Sequence, residues 1–341
     1  MRDQRSCGTG VKMGRNAFVA KWLLGLAVLL AAGAAAQRYQ PAEHTQGPPF
    51  FGNITPDQAA ILSDMGLTSE RDRDPAWTLA EHRRLDRTLS AVQPQRKGVV
   101  DAYVVAVALD SDPVFGREAR EAGKVLSRRY DAAGRTIVLA GTDGSADSTL
   151  PRGAPENIAA ALARVAEVMD KSEDVLILYT TSHGAPMGIV YNDGDHGYGM
   201  ISPQRLWTML GQLGIARRMV LVSACYSGVF VPLLSNVDSV VITASSDDRT
   251  SFGCQADSDW TFFGDALINH ALRKPQDITA AGTEATRLIG EWEARGNLTP
   301  SRPQVSIGAN TALWLDALDR RRPKDVTAPV GKPAVSLLEG R

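Results

Sequence analysis

The stretch Val220-Leu221-Val222-Ser223-Ala224-Cys225-Tyr226-Ser227-Gly228 sets an apolar run of strand length against a turn of small residues. Such a run, bounded by a turn signal, reads as a strand buried on both faces, the kind that occupies the centre of a parallel sheet. It delivers a thiol to the carboxyl end of the strand, where open α/β sheets form their ligand crevice. The stretch Asp174-Val175-Leu176-Ile177-Leu178-Tyr179-Thr180-Thr181-Ser182-His183-Gly184 has the same grammar, with an imidazole in place of the thiol. Neighbouring parallel strands would bring these two ends together.

Working outward, strands alternate with helical patterns from Val99 onward, which predicts an α/β fold with a mostly parallel sheet. Six strands are expected, at Ala102 to Leu109, Thr136 to Ala140, Val175 to Thr180, Met219 to Ser223, Ser239 to Thr243 and Gln304 to Ile307. Helices are expected at Arg117 to Tyr130, Pro155 to Met169, Pro203 to Leu213, Trp260 to Leu272 and Glu284 to Arg295, on both faces of the sheet. Tyr191 to Met200, rich in Gly and Asp, reads as a hairpin or loop beside the histidine strand. The direction of the last strand is not readable from its pattern.

Residues 1–36 read as a secretory signal: Arg15 and Lys21 precede an apolar run from Trp22 to Ala36 that ends in small residues. A start at Met13 gives that signal ordinary proportions and makes Cys7 irrelevant. The run is shorter than the roughly 20 residues a membrane span needs, so export to the periplasm or the exterior is expected, the alternative being a retained membrane anchor. Residues 37–97 form an N-terminal extension, with short helices starting at Thr55-Pro56-Asp57 and Asp74-Pro75. Within it Arg71-Asp72-Arg73-Asp74 reads as a solvated surface. The main domain spans 98–315, and 316–341, with Arg320-Arg321-Arg322 and later prolines, is expected to be a frayed tail.

Composition narrows the function. A hydrophobic content of 44% supports a sizeable core, and 37 basic against 38 acidic side chains leave no electrostatic footprint for nucleic acid. Three cysteines, Cys7, Cys225 and Cys254, make neither a disulfide framework nor a paired-cysteine metal spacing. Asn192-Asp193-Gly194-Asp195-His196 does not match a calcium loop and reads as a turn. No metal and no cofactor is expected.

A cysteine nucleophile needs a populated thiolate and a proton donor for the leaving group, and a histidine supplies both. Cys225 and His183 are the candidate pair. Gly184 permits close backbone approach, so its N–H and that of Cys225 are candidates for an oxyanion hole.

Ser182-His183-Gly184 together with Ala224-Cys225-Tyr226-Ser227-Gly228 resembles the legumain-type cysteine peptidases, family C13, which share the caspase-like fold. Ser251-Phe252-Gly253-Cys254 is similar to the family's segment that pairs with the substrate backbone. Phe263-Gly264-Asp265 resembles the motif carrying an acidic specificity-pocket residue, and Arg117-Glu118-Ala119 the motif carrying the pocket arginine. The resemblance covers roughly residues 98 to 310 and implies an endopeptidase acting on peptide or protein substrates through a thioester acyl-enzyme, with cleavage after Asn or Asp. Arg117 would meet the substrate's side-chain carbonyl and Asp265 its amide. Two features depart from the family: Ser223 stands where legumains keep a glutamate, and Phe115 and Gly116 stand where an asparagine supports the site.

Other functions fit less well. A cysteine α/β-hydrolase needs glycine on both sides of the nucleophile, where this chain has Ser223 and Ser227. A cysteine phosphatase needs an arginine at position 231, which is valine. The non-enzymatic alternative is an inactive caspase-like module that binds peptides without cutting them. Cys254 is read as a small core residue, with a bridge to Cys225 as the redox alternative.

Overall fold

The structure, a computed structural model, describes Thr45, residues 54–141 and residues 148–338. The expected signal segment 1–36, the Met13 start and Cys7 lie outside the described residues. No helix among the described residues is long and apolar enough to cross a membrane.

In chain order the elements are α1 (Pro56–Asp64), β1 (Thr68–Glu70), α2 (Pro75–Ser90), β2 (Ala102–Ala108), α3 (Pro113–Arg129), β3 (Thr136–Leu139), α4 (Pro155–Val168) and β4 (Val175–Thr181). Then come β5 (Gly184–Ala185), β6 (Gly188–Asp193), β7 (Gly197–Ile201), α5 (Pro203–Gln212), β8 (Arg218–Ser223), α6 (Val231–Leu234) and β9 (Ser239–Thr243). The chain closes with α7 (Ile278–Arg295), β10 (Gln304–Ile307) and α8 (Ala312–Arg321).

Six strands form the central sheet in the order β10-β9-β8-β4-β2-β3. All neighbours are parallel except β10, which runs antiparallel to β9. Successive side chains of a strand point to opposite faces, and β2 divides its residues accordingly. Ala102, Val104 and Ala106 join one core with Val125 and Leu126 of α3, Ile278 and Ile289 of α7 and Trp314 of α8. Tyr103, Val105 and Val107 join the other with Ile158 and Leu162 of α4 and Leu206 and Leu210 of α5. The mostly parallel sheet with helices on both faces is therefore as expected. Each fully buried aliphatic side chain contributes about 1.5–3 kcal/mol, so these apolar strands dominate the fold's stability.

A second, four-stranded sheet, β1-β7-β6-β5, stands beside the histidine strand and contains the expected hairpin. Its edge strand β1 comes from the N-terminal extension and pairs antiparallel with β7. Arg71 donates to Tyr198 Oη at 3.0 Å, and Arg73 pairs with Asp193 and Glu70 while lying 4.3 Å over the Trp77 ring. Arg71 and Arg73 thus dock on the hairpin, which presents complementary acid and phenol groups, whereas Asp72 and Asp74 are exposed as the expected solvated surface requires. The helix starts at Thr55 and Asp74 are as expected, with a reciprocal capping box at Thr55 and Gln58.

Two helices begin earlier than expected. Pro113 occupies the first turn of α3, where a missing N–H costs nothing, and Asp277 caps α7 by accepting from Ala280 N at 2.7 Å. The helix expected at Trp260 to Leu272 is instead a π-type helix over Gly264–His270 followed by a 3-10 turn over Ala271–Arg273. The expected frayed tail also differs. Residues 312–321 are helical, and beyond them the chain is tied down by backbone bonds from Val330 N to Asn269 Oδ1 (2.9 Å) and from Ala334 N to Asp265 Oδ2 (2.7 Å). Polar anchoring substitutes there for the apolar burial the composition lacks.

Candidate active site

Cys225 lies two residues beyond β8, half-buried and unbridged. The next residue, Tyr226, adopts a left-handed conformation at φ 57° and donates its N–H to Arg249 O at 2.7 Å. A non-glycine residue in that region carries strain that only a well-determined turn holds. Ser227 and Ser245 determine it by exchanging backbone-to-hydroxyl bonds of 3.2 and 3.1 Å. Gly228 completes the turn because a Cβ there would run into the backbone of Ser246 and Asp247. The Cys225 Sγ accepts the N–H of Ser251 at 3.2 Å.

His183 lies two residues beyond β4, the strand next to β8, and the last register pair is Thr181 with Ser223. Ser182 N then donates to Ser223 O at 3.1 Å. A Cβ on Gly184 would run into the Cys225 carbonyl, so the two strand ends touch through their backbones at this glycine. The hairpin fixes the histidine: Val190 N donates to His183 O at 3.0 Å, and Ser182 Oγ donates to Val190 O at 2.6 Å. Phe115 packs against the imidazole in a T-shaped contact with centroids 5.0 Å apart.

The imidazole Nε2 stands 3.7 Å from Asp112 Oδ2. Asp112 first and the Cys254 side chain second outweigh the cost of burial and push the His183 pKa up to about 10. The ring is therefore an imidazolium at neutral pH. Asp110, Asp112 and His183 each bring one potential ligand atom within 4.8 Å of the others, the only such trio with metal-binding chemistry among the described residues. Within the trio, Asp112 and His183 form an ion pair.

The expected specificity residues part company. Ser251 is brought to Cys225, and Phe252 follows it with its carbonyl occupied by Phe262 N at 2.9 Å. Arg117, partly exposed, donates to the carbonyls of Ala256 (2.8 Å) and Ser258 and lies 3.4 Å from Asp259, so it organises the 256–259 loop. Ser223 turns into the interior and shares a 3.0 Å bond with Thr261. Asp265 is fully buried: it accepts from Asn269 Nδ2 and Ala334 N and lies 3.2 Å from His270 Nδ1. Its carboxylate is spent on the protein's own chain, which corrects the expectation that it reads a substrate amide.

Sequence reasoning missed two acids. Glu118 is fully buried beneath the crevice, bonding Tyr179 Oη at 2.5 Å and Thr261 N at 2.9 Å. Burial, then this carboxylate, keeps Tyr179 a neutral phenol. A charge on the apolar face of α3, among Val114, Phe115, Ala119 and Ala122, was the available signal. Asp112 gave a weaker one, since Ser111-Asp112-Pro113 reads equally as an ordinary helix start.

Fold and site thus define an α/β protein whose two adjacent central strands end in a histidine and a cysteine. Residues 152–287 match the Peptidase C13 family. The match includes His183, Cys225, Ser251 and Asp265 and leaves Arg117 and Asp112 outside. The chain is also similar to the crystal structure of caspase-1 from Spodoptera frugiperda, at 14% identity and a TM-score of 0.43, over 64% of this chain and 93% of that one. No curated protein matches the sequence.

Proposed function

We propose that this chain is an exported cysteine endopeptidase that hydrolyses peptide bonds through a thioester on Cys225. The C13 match supports the peptidase class, and the observation that carries the reading is the backbone contact between the ends of β4 and β8 at Gly184 and Cys225. The Cys225 thiolate attacks the scissile carbonyl, and the N–H groups of Gly184 and Cys225 receive the oxyanion. His183, protonated at neutral pH, gives its proton to the departing amine as the C–N bond breaks. The neutral imidazole then takes a proton from water, which attacks the thioester and releases the thiolate and the acid product. Substrate binding at the rim by the Ser251–Phe252 segment and Arg117 requires Arg117 to release the carbonyls of Ala256 and Ser258. With Asp265 turned inward, the released guanidinium reads an oxygen common to Asn and Asp, so the enzyme cleaves after both with little discrimination. Export rests on the basic flank at Arg15 and Lys21 and the apolar run ending at Ala36.

A mixed peptide library incubated with the purified protein across roughly pH 4 to 10, spanning the free and the raised histidine ranges, tests this. Cleavage after Asn and Asp that disappears in Cys225→Ala is the expected result. Cleavage after Arg or Lys overturns the pocket assignment, and no cleavage at any pH favours the inactive peptide-binding alternative.

A further inference from the structure

The loop immediately before α3 brings an acid to the histidine. Asp112 stands at the N-terminus of α3, yet its side chain does not cap that helix; it stands 3.7 Å from His183 Nε2. Its backbone is held from two sides. Asp112 N donates to Asp110 Oδ1 at 2.9 Å, and the neighbouring Ser111 N donates to Asn192 O at 3.0 Å. Asn192 N in turn donates to Leu109 O at 3.0 Å, while Val190 of the same strand holds the His183 carbonyl. Strand β6 is thus a common jig for both members of the pair. Phe115, in the first turn of α3, packs against the ring in a T-shaped contact.

We propose that Asp112 is the positioning residue of this site: its carboxylate holds the His183 ring by Nε2 and leaves Nδ1 to carry the proton to the departing amine. The inference rests on the peptidase reading above for its chemistry, and on the loop and hairpin geometry for its structure. A fixed carboxylate behind an imidazole sets ring orientation and stabilises the imidazolium, and the catalytic value of such a partner lies in the proton-transfer steps rather than in substrate binding. The groups facing His183 are Asp112, Asp110, Cys254 and the Phe115 ring, with Cys225 on the adjoining strand end. Of these, Asp112 makes an ion pair with the ring.

The test compares wild type with Asp112→Asn, which keeps the shape and removes the charge, and with Asp112→Glu. In Asp112→Asn, kcat on a cleaved peptide should fall roughly 10- to 100-fold with KM changed less than about twofold, and the alkaline limb of the kcat/KM profile should move to lower pH. NMR titration of His183, assigned with His183→Ala, should show a midpoint that drops toward about 6.5 in the same variant, with Asp112→Glu recovering part of both effects. An unchanged kcat in folded Asp112→Asn, or a wild-type midpoint near or below about 6.5, overturns the proposal. The wild-type titration decides the matter even where the variant fails to fold. Because titration needs no substrate, a chain that cuts nothing yet loses its high midpoint in Asp112→Asn sinks the peptidase reading and leaves the Asp112–His183 pairing standing.

Discussion

The central strands carry buried acids at the amino edge of the sheet and His183 and Cys225 at the carboxyl edge, and the two edges treat charge in opposite ways. At the amino edge Asp101 is fully buried, accepting from Arg96 N at 2.6 Å and Arg96 Nε at 2.8 Å and lying 3.3 Å from Arg135 Nε. Asp174, just before β4, accepts from Asp101 N and from Asp170 N, each at 2.8 Å, and burial pushes its pKa up to about 6. At the carboxyl edge His183 and Cys225 are only half-buried and held mainly through their backbones. Saturated buried charges fix the start of the strands, whereas partly solvated groups on a rigid frame remain able to exchange protons. The polarity of the sheet therefore separates stability from chemistry, as expected for an α/β crevice.

Substitutions can break this contrast. Cys225→Ala should remove peptidase activity by at least about a thousandfold while leaving the thermal midpoint within a few degrees. His183→Ala should cost roughly 100- to 10,000-fold in kcat, again with a native melt. At the opposite edge the pattern should invert. Asp101→Ala leaves Arg135 buried without its acid and should cost about 3 kcal/mol in chemical denaturation, with kcat/KM per folded molecule unchanged. Asp265→Ala, which frees Ala334 N and Asn269, should cost about 2 kcal/mol and expose residues 327–334 to protease, with activity kept within a few-fold. A large activity loss from Asp101→Ala, or a large stability loss from His183→Ala, would erase the distinction between the edges.

The smallest effect concerns pH. The folded-state pKa of His183 is raised, so its pairing adds stability fully below the unfolded value near 6.5 and loses it as pH climbs through about 10. The stability difference between wild type and Asp112→Asn should therefore be largest at or below about pH 6.5 and vanish by about pH 10. Denaturation curves across that window, taken at constant salt, check both the sign and the span.

Much of this contrast is legible in the chain itself. Ser239 to Thr243 and Gln304 to Ile307 are strands with the expected bounds, because short apolar or alternating runs between turn signals leave little freedom. The direction of β10 is not, since an edge strand has the same side-chain period either way. Cys225 and His183 are readable as strand-end residues. Asp265 is not readable as a structural acid, because its partner Ala334 lies far along a segment whose composition suggests no order. Arg71 and Arg73 mislead for a related reason: alternating charge looks the same whether it faces water or a complementary hairpin. What the sequence hides in each instance is the long-range partner.

Two thiols are available to react. Cys225 and Cys254 are both unbridged and half-buried, and Cys254 also lies close enough to His183 to influence its proton affinity. Limited alkylation with an electrophilic peptide ending in Asp or Asn, followed by mass mapping of the modified residue, separates them. Labelling confined to Cys225 and slowed strongly by His183→Ala is the predicted result. Labelling of Cys254 instead, or of Cys225 at the same rate without His183, would contradict the strand-end pair as the working centre of this protein.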